Sequence, residues 1–240
     1  MSLTGDEPPE VTERCRALLA ADELAAEQRF QREELRRRWR CTRAMVRMVL
    51  SNYADVAPED WRFRRTSLGK PELVGPADLP LTFNLAHSGR MILCGVEGNV
   101  GQKAMLGVDI ERVRRRERHL ALARRFFAPD EVAWLESQPP GQQQESFFRI
   151  WTLKEAYLKA RGTGLALPLK GFSIRIAAEG ESPSVEFTER CPDDPRRWQF
   201  VELRERDSAA VDDYRAAVAL GGVEPGSTLT VHRREFAIHE

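Results

Sequence analysis

The chain has 240 residues, which is enough for one medium-sized domain or two small domains that are tightly joined. Its 42% of hydrophobic and 31% of charged residues are typical of a soluble globular protein. Lysine plus arginine and aspartate plus glutamate both number 37, and this balance argues against a protein that coats nucleic acid. The cysteine spacing argues against a zinc site and a disulfide framework. The polar N-terminus argues against a secretory leader, and no run approaches the ~18 apolar residues of a membrane span. We therefore expect a cytoplasmic protein.

Helical periodicity dominates the first part of the chain. Residues 10–28 are rich in alanine, leucine and glutamate and predict a helix, and a second helix is predicted over roughly 31–53. The segment WRFRRTSLGKPEL then predicts a strand and a Gly-Lys-Pro turn. The segment LTFNLAHSGRMILCGVEG predicts two short strands on either side of a His-Ser-Gly corner.

Strands outnumber helices in the second part. The segment LGVDIERV predicts a strand, and helix 117–127 and a short helix with Asp130 as its N-terminal cap follow it. A long helix is predicted over 145–161. Strand-like segments then continue to the C-terminus: LPLKGFSIRIAA, PSVEFTER, RRWQFVELR, YRAAVALGG and TLTVHRREFAI. The predicted fold class is therefore α+β with antiparallel strands.

A weak internal repeat appears when the two long predicted helices are aligned. The matched pairs are Trp39 with Trp151, Ala44 with Ala156 and Arg47 with Lys159. A Pro-containing loop and a strand follow in both copies, but few identities support the repeat, so chance stays open as its explanation. If the repeat is real, it predicts two α+β halves, 1–104 and 105–240, that meet at a ligand-binding interface.

Two carboxylates share one face of the strand LGVDIE. Alternation places Asp109 and Glu111 on the same side, about 7 Å apart at Cα. The ordinary interpretation is a half-exposed strand whose polar side chains face solvent. The functional alternative is a shared hard cation, because Mg²⁺ takes oxygen ligands and binds through one or two carboxylates plus substrate phosphates.

The helix WTLKEAYLKARGTGL offers a third carboxylate. Thr152, Glu155 and Lys159 fall on one polar stripe, and an exposed Glu–Lys pair at this spacing contributes only about 0.2–0.5 kcal/mol. Two further features favour a site over a surface pair. His87 ends an apolar strand run, and Lys70 lies in a Gly-Pro turn whose backbone and ammonium can approach a ligand.

Four motifs, in this order and spacing, resemble the Sfp-type 4′-phosphopantetheinyl transferases: FNLAHSGR, LGVDIE, RFFAPDE and WTLKEAYLKARGTGLALPLKGFSI. Clear similarity spans about 81–175 and weaker similarity reaches back through GKP to the helix at 30–50, whereas 176–240 contributes no motif. GVDIE alone carries little information, but its combination with WTLKEAYLK downstream is specific.

The resemblance implies a fold of two pseudo-twofold-related α+β halves, each with a long helix packed on a small, mostly antiparallel sheet. It implies an enzyme, a monomer, that transfers the 4′-phosphopantetheine arm of coenzyme A to a serine of an apo acyl or peptidyl carrier protein and releases 3′,5′-ADP. By the resemblance, Asp109, Glu111 and Glu155 hold Mg²⁺ or Mn²⁺, and Lys159 contacts the pyrophosphate and the leaving 3′,5′-ADP. Glu155 takes the serine proton, either directly or through a metal-bound water. The implied coenzyme A contacts are His87, Ser88, Gly69, Lys70, Pro71, Lys159, Arg38 and Arg43.

Two departures from the family pattern affect coenzyme A binding. Ala86 stands where the family usually has serine before the histidine, and the lost hydroxyl contact costs about 1 kcal/mol of binding. The lysine pair that some members place ahead of the first long helix is not recognisable. Arg32, Arg38 and Arg43 therefore stay open as holders of the 3′-phosphate.

Rival interpretations remain at this point. The three carboxylates also fit a Mg²⁺-dependent phosphoesterase or nuclease. A non-enzymatic nucleic-acid-binding module built on RRRWRCTRAMVR is opposed by the neutral net charge and by the lack of a helix-turn-helix or zinc signature. The basic runs 35–47 and 111–119 are either solvated helix faces or docking surfaces for an acidic carrier protein.

Overall fold

The computed structural model describes residues 1, 3, 8–76, 79–98, 104–113, 118–178, 181–207 and 212–238. Within these ranges the helices are α1 (Pro9–Ala17), α2 (Ala21–Glu27), α3 (Glu33–Ser51), α4 (His119–Phe126), α5 (Pro129–Ser137) and α6 (Gln143–Arg161). The strands are β1 (Arg62–Arg65), β2 (Pro71–Gly75), β3 (Leu81–Ser88), β4 (Met91–Gly98), β5 (Met105–Arg112), β6 (Phe172–Arg175), β7 (Ser184–Phe187), β8 (Trp198–Asp207) and β9 (Asp212–Gly221). The predicted α+β class is confirmed.

The order of elements repeats. The first unit is α3 followed by the antiparallel hairpins β1–β2 and β3–β4, and the second unit is α6 followed by β6–β7 and β8–β9. In the second unit β5 pairs antiparallel with β9. In the first unit the chain start lies on β4 in the same way, since Leu3 N–H donates to the Arg90 carbonyl and Ile92 N–H to the Met1 carbonyl. The two long helices thus each face a similar small sheet arrangement.

Three local predictions were wrong. The helix predicted over 10–28 divides into α1 and α2, because Ala20 takes an extended conformation and caps α2, with the Glu23 carboxylate accepting its N–H. Asp130 does not cap α5: Ala128 is the cap, and Glu131 accepts its N–H at 2.8 Å. The segment predicted as a last strand, 228–238, forms no strand and instead crosses to the first unit, where Ile238 is buried.

Both faces of β5 are covered. Leu106, Val108 and Ile110 pack in one apolar cluster with side chains of β9. On the other face lies α6, so close that a Cβ on Gly107 would stand 2.0 Å from the Ala156 carbonyl oxygen. The predicted alternation is confirmed, but the half-exposed interpretation is wrong, because α6 buries the face that carries Asp109.

Polar side chains of β3 join the first unit to β5. The Asn84 amide oxygen accepts the Val108 N–H at 2.9 Å, and the Ser88 hydroxyl accepts the Arg112 N–H at 3.1 Å. Both contacts advance by four residues along each strand, so β3 and β5 run in the same direction. The end of β3 is thereby fixed beside the carboxylates of β5.

The long helix α6 is buried on most of its surface. Thr152 does not belong to an exposed polar stripe: it is buried, and its hydroxyl donates to the Phe148 carbonyl at 2.9 Å. Lys154 is also buried: it is only 1% exposed and donates to Glu131 and to the Phe172 carbonyl. No helix in the described ranges is long and apolar enough to cross a membrane.

Candidate functional site

Three carboxylates and a lysine meet where α6 lies on β5. The ammonium of Lys159 donates to Asp109 Oδ1 at 2.6 Å. Glu155 lies one turn earlier on α6 and is half-buried, like Lys159. Glu111, the next residue on the same face of β5, accepts the Ser88 hydroxyl at 2.8 Å. The structure therefore brings the predicted metal-binding and catalytic side chains together.

The electrostatics of these carboxylates reflect burial and mutual repulsion. Burial raises the pKa of Asp109 to about 7; Lys159 acts in the opposite direction, while Glu111 and Glu155 raise it further. Burial also raises the pKa of Glu155. The charge of Lys159 lowers this pKa, and the charge of Glu111 raises it further. The three carboxylates thus lie near enough to repel one another.

The arrangement fits a hard cation, although the ligands are not gathered around a preformed centre. Within the described ranges no group of three histidine, cysteine or acidic residues converges as a ready-made metal site. Asp109 Oδ1 instead accepts a hydrogen bond from Lys159, and Glu111 accepts one from Ser88. Asp109 Oδ2, however, is buried without a hydrogen-bond partner among the described residues. An all-carboxylate donor set with an orphaned buried oxygen suits Mg²⁺ or Mn²⁺.

Basic side chains of the first unit lie near Lys159. His87 lies at the exposed end of β3, and burial lowers its pKa, with further decreases from the positive charges of Arg38 and Lys159. Arg38 and Lys159 are therefore both close enough to His87 to act on its imidazole. Positive charge beside carboxylates is suited to a polyanion bound together with a metal ion.

The Gly-Lys-Pro turn lies at the tip of the β1–β2 hairpin. Gly69 has a φ of +85°, a value that favours glycine, and its N–H donates to the Thr66 carbonyl. Lys70 directs its ammonium at backbone carbonyls of α6 and β5, and Pro71 begins β2. The turn therefore lies beside the end of α6 that carries Lys159.

Arg65 is a neighbour of this turn that the sequence analysis missed. Its guanidinium donates to the Gly69 carbonyl at 3.0 Å and lies 5.5 Å from the centre of the Trp39 ring. Arg43 lies over the same ring at 4.5 Å. An exposed arginine in a short strand carries no motif, so only its three-dimensional neighbours identify Arg65.

The predicted 3′-phosphate candidates differ in their surroundings. Arg43 is only 7% exposed and lies 3.8 Å from Glu23. Arg40 and Arg47 are also buried and paired with acidic side chains. The run 35–47 is therefore neither a fully solvated face nor a free basic docking surface. In the run 111–119, positions 114–117 lie outside the described residues.

Comparison with known proteins places the chain in a family. The model of the 4′-phosphopantetheinyl transferase superfamily matches residues 105–219. The 4′-phosphopantetheinyl transferase HetI of Nostoc sp. is 38% identical over 218 residues, which are 90% of this chain and 84% of that protein. The chain belongs to the 4′-phosphopantetheinyl transferase family. The 4′-phosphopantetheinyl transferase Sfp of Bacillus subtilis is 32% identical over 174 residues, 72% of this chain and 68% of that protein.

A solved structure also matches part of this chain. It is a holo-(acyl-carrier-protein) synthase from Bacillus anthracis in complex with CoA (3′,5′-ADP), and it is 19% identical to this chain. The match covers 49% of this chain and 94% of that one with a TM-score of 0.37, which is too low to transfer any site. The roles of individual residues therefore depend on the geometry of this chain and stay predictions.

Proposed function

We propose that this protein transfers the 4′-phosphopantetheine arm of coenzyme A to a serine of an apo acyl or peptidyl carrier protein and releases 3′,5′-ADP. Family membership gives the reaction class. The observation that supports this chain as an active member is the contact of Lys159 with Asp109, with Glu111 and Glu155 close by. His87 of the first unit lies within electrostatic range of both Arg38 and Lys159.

Asp109, Glu111 and Glu155 would hold Mg²⁺, or Mn²⁺, in the loaded enzyme. When bound, the cation would neutralise the pyrophosphate and the negative charge that develops on the transferred phosphoryl group. Among the described residues Asp109 Oδ2 has no hydrogen-bond partner, so a cation that binds this oxygen displaces no hydrogen bond made by it. Lys159 is 31% exposed in its side chain and is able to turn from Asp109 to a phosphate.

The residues of the chain supply the proton transfers. The serine oxygen of the carrier forms a new bond to the phosphorus attached to pantetheine, and the serine proton passes to Glu155. The bond from that phosphorus to the bridging oxygen breaks, and the electron pair leaves with 3′,5′-ADP. Lys159 stabilises or protonates this leaving oxygen.

In this proposal, side chains of the first unit bind the rest of coenzyme A. His87 and Ser88 at the end of β3 face the phosphates, and Arg38 lies beside His87 for the 3′-phosphate. The adenine lies at the backbone of Gly69 and Pro71. Arg43 is buried against the ring of Trp39, so it contributes to coenzyme A binding through that ring and not through an exposed guanidinium.

We also propose that the halves are 1–104 and 105–240 and that the enzyme acts as a cytoplasmic monomer. The repeated order of helix and hairpins supports the division. Among the described residues, none of the four cysteines forms a disulfide, which agrees with a reducing compartment.

A single assay tests the function. The protein is incubated with an apo carrier protein, coenzyme A and Mg²⁺, and the carrier is weighed by mass spectrometry. We expect the carrier mass to increase by one phosphopantetheine arm. Release of phosphate or nucleotide without a modified carrier, across several fatty-acid, polyketide and peptide carriers, would instead favour a phosphoesterase.

Glu155→Gln tests the proposed base. We expect transfer to fall by roughly 10²–10⁴-fold, the usual contribution of a positioned acid or base, while the thermal unfolding temperature changes little. Glu136→Gln, on the exposed part of α5, is the matched control and should retain activity. Full activity in Glu155→Gln would remove Glu155 from the mechanism.

A further inference from the structure

The side chain of Lys70 reaches from the β1–β2 turn to the C-terminal end of α6. Its Nζ lies 2.9 Å from the carbonyl oxygen of Lys159, 3.3 Å from that of Ala160 and 3.5 Å from that of Leu106. The last carbonyls of an α-helix lack partners within the helix and form the negative end of its dipole. An ammonium has three N–H donors, and three acceptors surround this one.

The stem of Lys70 is held as well as its charge. Gly162 ends α6 in the left-handed region with a φ of +67°, and a Cβ built there would lie 3.6 Å from the Lys70 Cδ. The backbone of Lys70 is closed onto Thr66, which donates its N–H to the Lys70 carbonyl and accepts the Lys70 N–H on its hydroxyl. Burial lowers the pKa of Lys70, while Glu72 acts in the opposite direction.

We propose that Lys70 is a positioning residue whose ammonium locks the last turn of α6 against β5 and the β1–β2 turn, and so holds Lys159 within reach of Asp109. The ammonium is directed at backbone carbonyls and does not point out of the turn, so it is not a phosphate contact. The backbone of the turn remains open to a ligand. Only the kinetic consequence of this role rests on the proposed function.

Lys70→Met tests the lock in the protein without coenzyme A, because methionine keeps much of the apolar stem and removes the donors. We expect a lower unfolding temperature and roughly tenfold faster amide hydrogen exchange in residues 157–163, since charged hydrogen bonds to three carbonyls are lost. Lys170→Met, at an exposed lysine, is the matched control and should exchange like the wild type. Unchanged exchange and unfolding in Lys70→Met would overturn the proposal.

Kinetics with two donors separates positioning from phosphate binding. Dephospho-coenzyme A lacks the 3′-phosphate, so a residue that contacts this phosphate discriminates between the two donors. For Lys70→Met we expect kcat to fall by the same factor with both donors, and Lys70→Arg to restore part of it. A rise in KM for coenzyme A that disappears with dephospho-coenzyme A would overturn the proposal.

Two controls keep the result interpretable. If Lys70→Met does not fold, Lys70→Arg replaces it, and an unchanged kcat together with a KM that rises for coenzyme A but not for dephospho-coenzyme A would overturn the role. If the wild type transfers nothing to any carrier, the proposed function fails, whereas the exchange result still decides whether Lys70 locks α6.

Discussion

The two units hold their long helices by the same buried arrangement. In the second unit Lys154 of α6 donates to Glu131 at 2.8 Å and to the Phe172 carbonyl at 2.6 Å, where β6 begins. Glu131 lies in the first turn of α5 and also accepts the N–H of Ala128, the cap of that helix. One lysine therefore ties α6 to a short helix and to the next strand.

The first unit repeats these contacts with different residues. Arg47 of α3 donates to Glu23 at 2.6 Å and to the Trp61 carbonyl at 2.7 Å, immediately before β1. Glu23 lies in the first turn of α2 and accepts the N–H of Ala20, the cap of that helix. The repeat is therefore real in the framework, but its register pairs Arg47 with Lys154, not with Lys159 as the sequence alignment had it.

The chemistry is not repeated. Carboxylates for a metal ion lie on β5 and α6, whereas the first unit presents Arg38, Arg65 and His87. Lys154 and Glu155 are neighbours in sequence, yet the first belongs to the framework and the second to the site. The comparison shows that a repeated framework carries two surfaces of different charge; in the proposed function, the acidic surface would hold the metal ion and the basic surface the phosphates.

The largest effect should come from breaking the framework. Lys154→Met leaves Glu131 buried without its cation, and we expect a loss of about 3–5 kcal/mol in the free energy of unfolding, measured by urea denaturation. Arg47→Met should cost a similar amount if the units are equivalent. The loss at Lys154 should be the larger of the two, because the side chain of Glu131 is 1% exposed and that of Glu23 is 11% exposed.

Two further variants test the reason for this loss. The double variant Lys154→Met with Glu131→Leu removes both charges and should recover part of the stability. Arg124→Met removes an exposed partner of Glu136 and should cost less than about 1 kcal/mol. A change below that size in Lys154→Met would break the equivalence of the two units.

The Lys154–Glu131 pair also shows which features the sequence could predict. Strand alternation in LGVDIE and the motif order identified the carboxylates, since both depend on local spacing. The burial of Lys154 was missed, because its partner lies 23 residues away on α5 and helical spacing alone cannot reveal it. Arg65 and the Lys70 contacts were missed for the same reason, because Trp39 and the carbonyls at the end of α6 are distant from them in sequence.

The next effect concerns the carboxylates that only the second unit carries. In metal-free protein the pKa of Asp109 is about 7, against an ordinary value of 3.8, so the folded state keeps a proton that the unfolded state has lost. The free energy of unfolding should therefore fall as pH rises towards 8, by up to about 3 kcal/mol from pH 5. Asp109→Asn does not titrate there and should lack this part of the decrease.

Denaturation of both proteins across this pH range, with a chelator present, measures the difference. Adding Mg²⁺ at pH 8 should raise the unfolding temperature of the wild type, because a bound cation compensates the ionised carboxylates. The same addition should have less effect on Asp109→Asn. Parallel pH profiles would mean that Lys159 keeps Asp109 ionised throughout, and the acidic crowding inferred for this unit would then be wrong.

The smallest effect distinguishes the arginines of the first unit. Arg38 is half-buried beside His87. Arg38→Met should therefore weaken the binding of coenzyme A by about 1.5 kcal/mol, roughly tenfold, because a charged contact to the 3′-phosphate is lost. Dephospho-coenzyme A should bind this variant and the wild type alike. Arg43 is buried beside Glu23, so Arg43→Met should lower stability without discriminating between the two donors.

Titration calorimetry with both donors gives two affinities for each variant, which are compared with the two of the wild type. If Arg43→Met discriminates between the two donors and Arg38→Met does not, the 3′-phosphate binds beside Trp39. The phosphate-binding surface of the first unit would then consist of Arg43 and Arg65. If neither discriminates, His87 of β3 is the remaining basic side chain near Lys159. The contrast between an anionic second unit and a phosphate-binding first unit depends on one of these arginines sensing the 3′-phosphate.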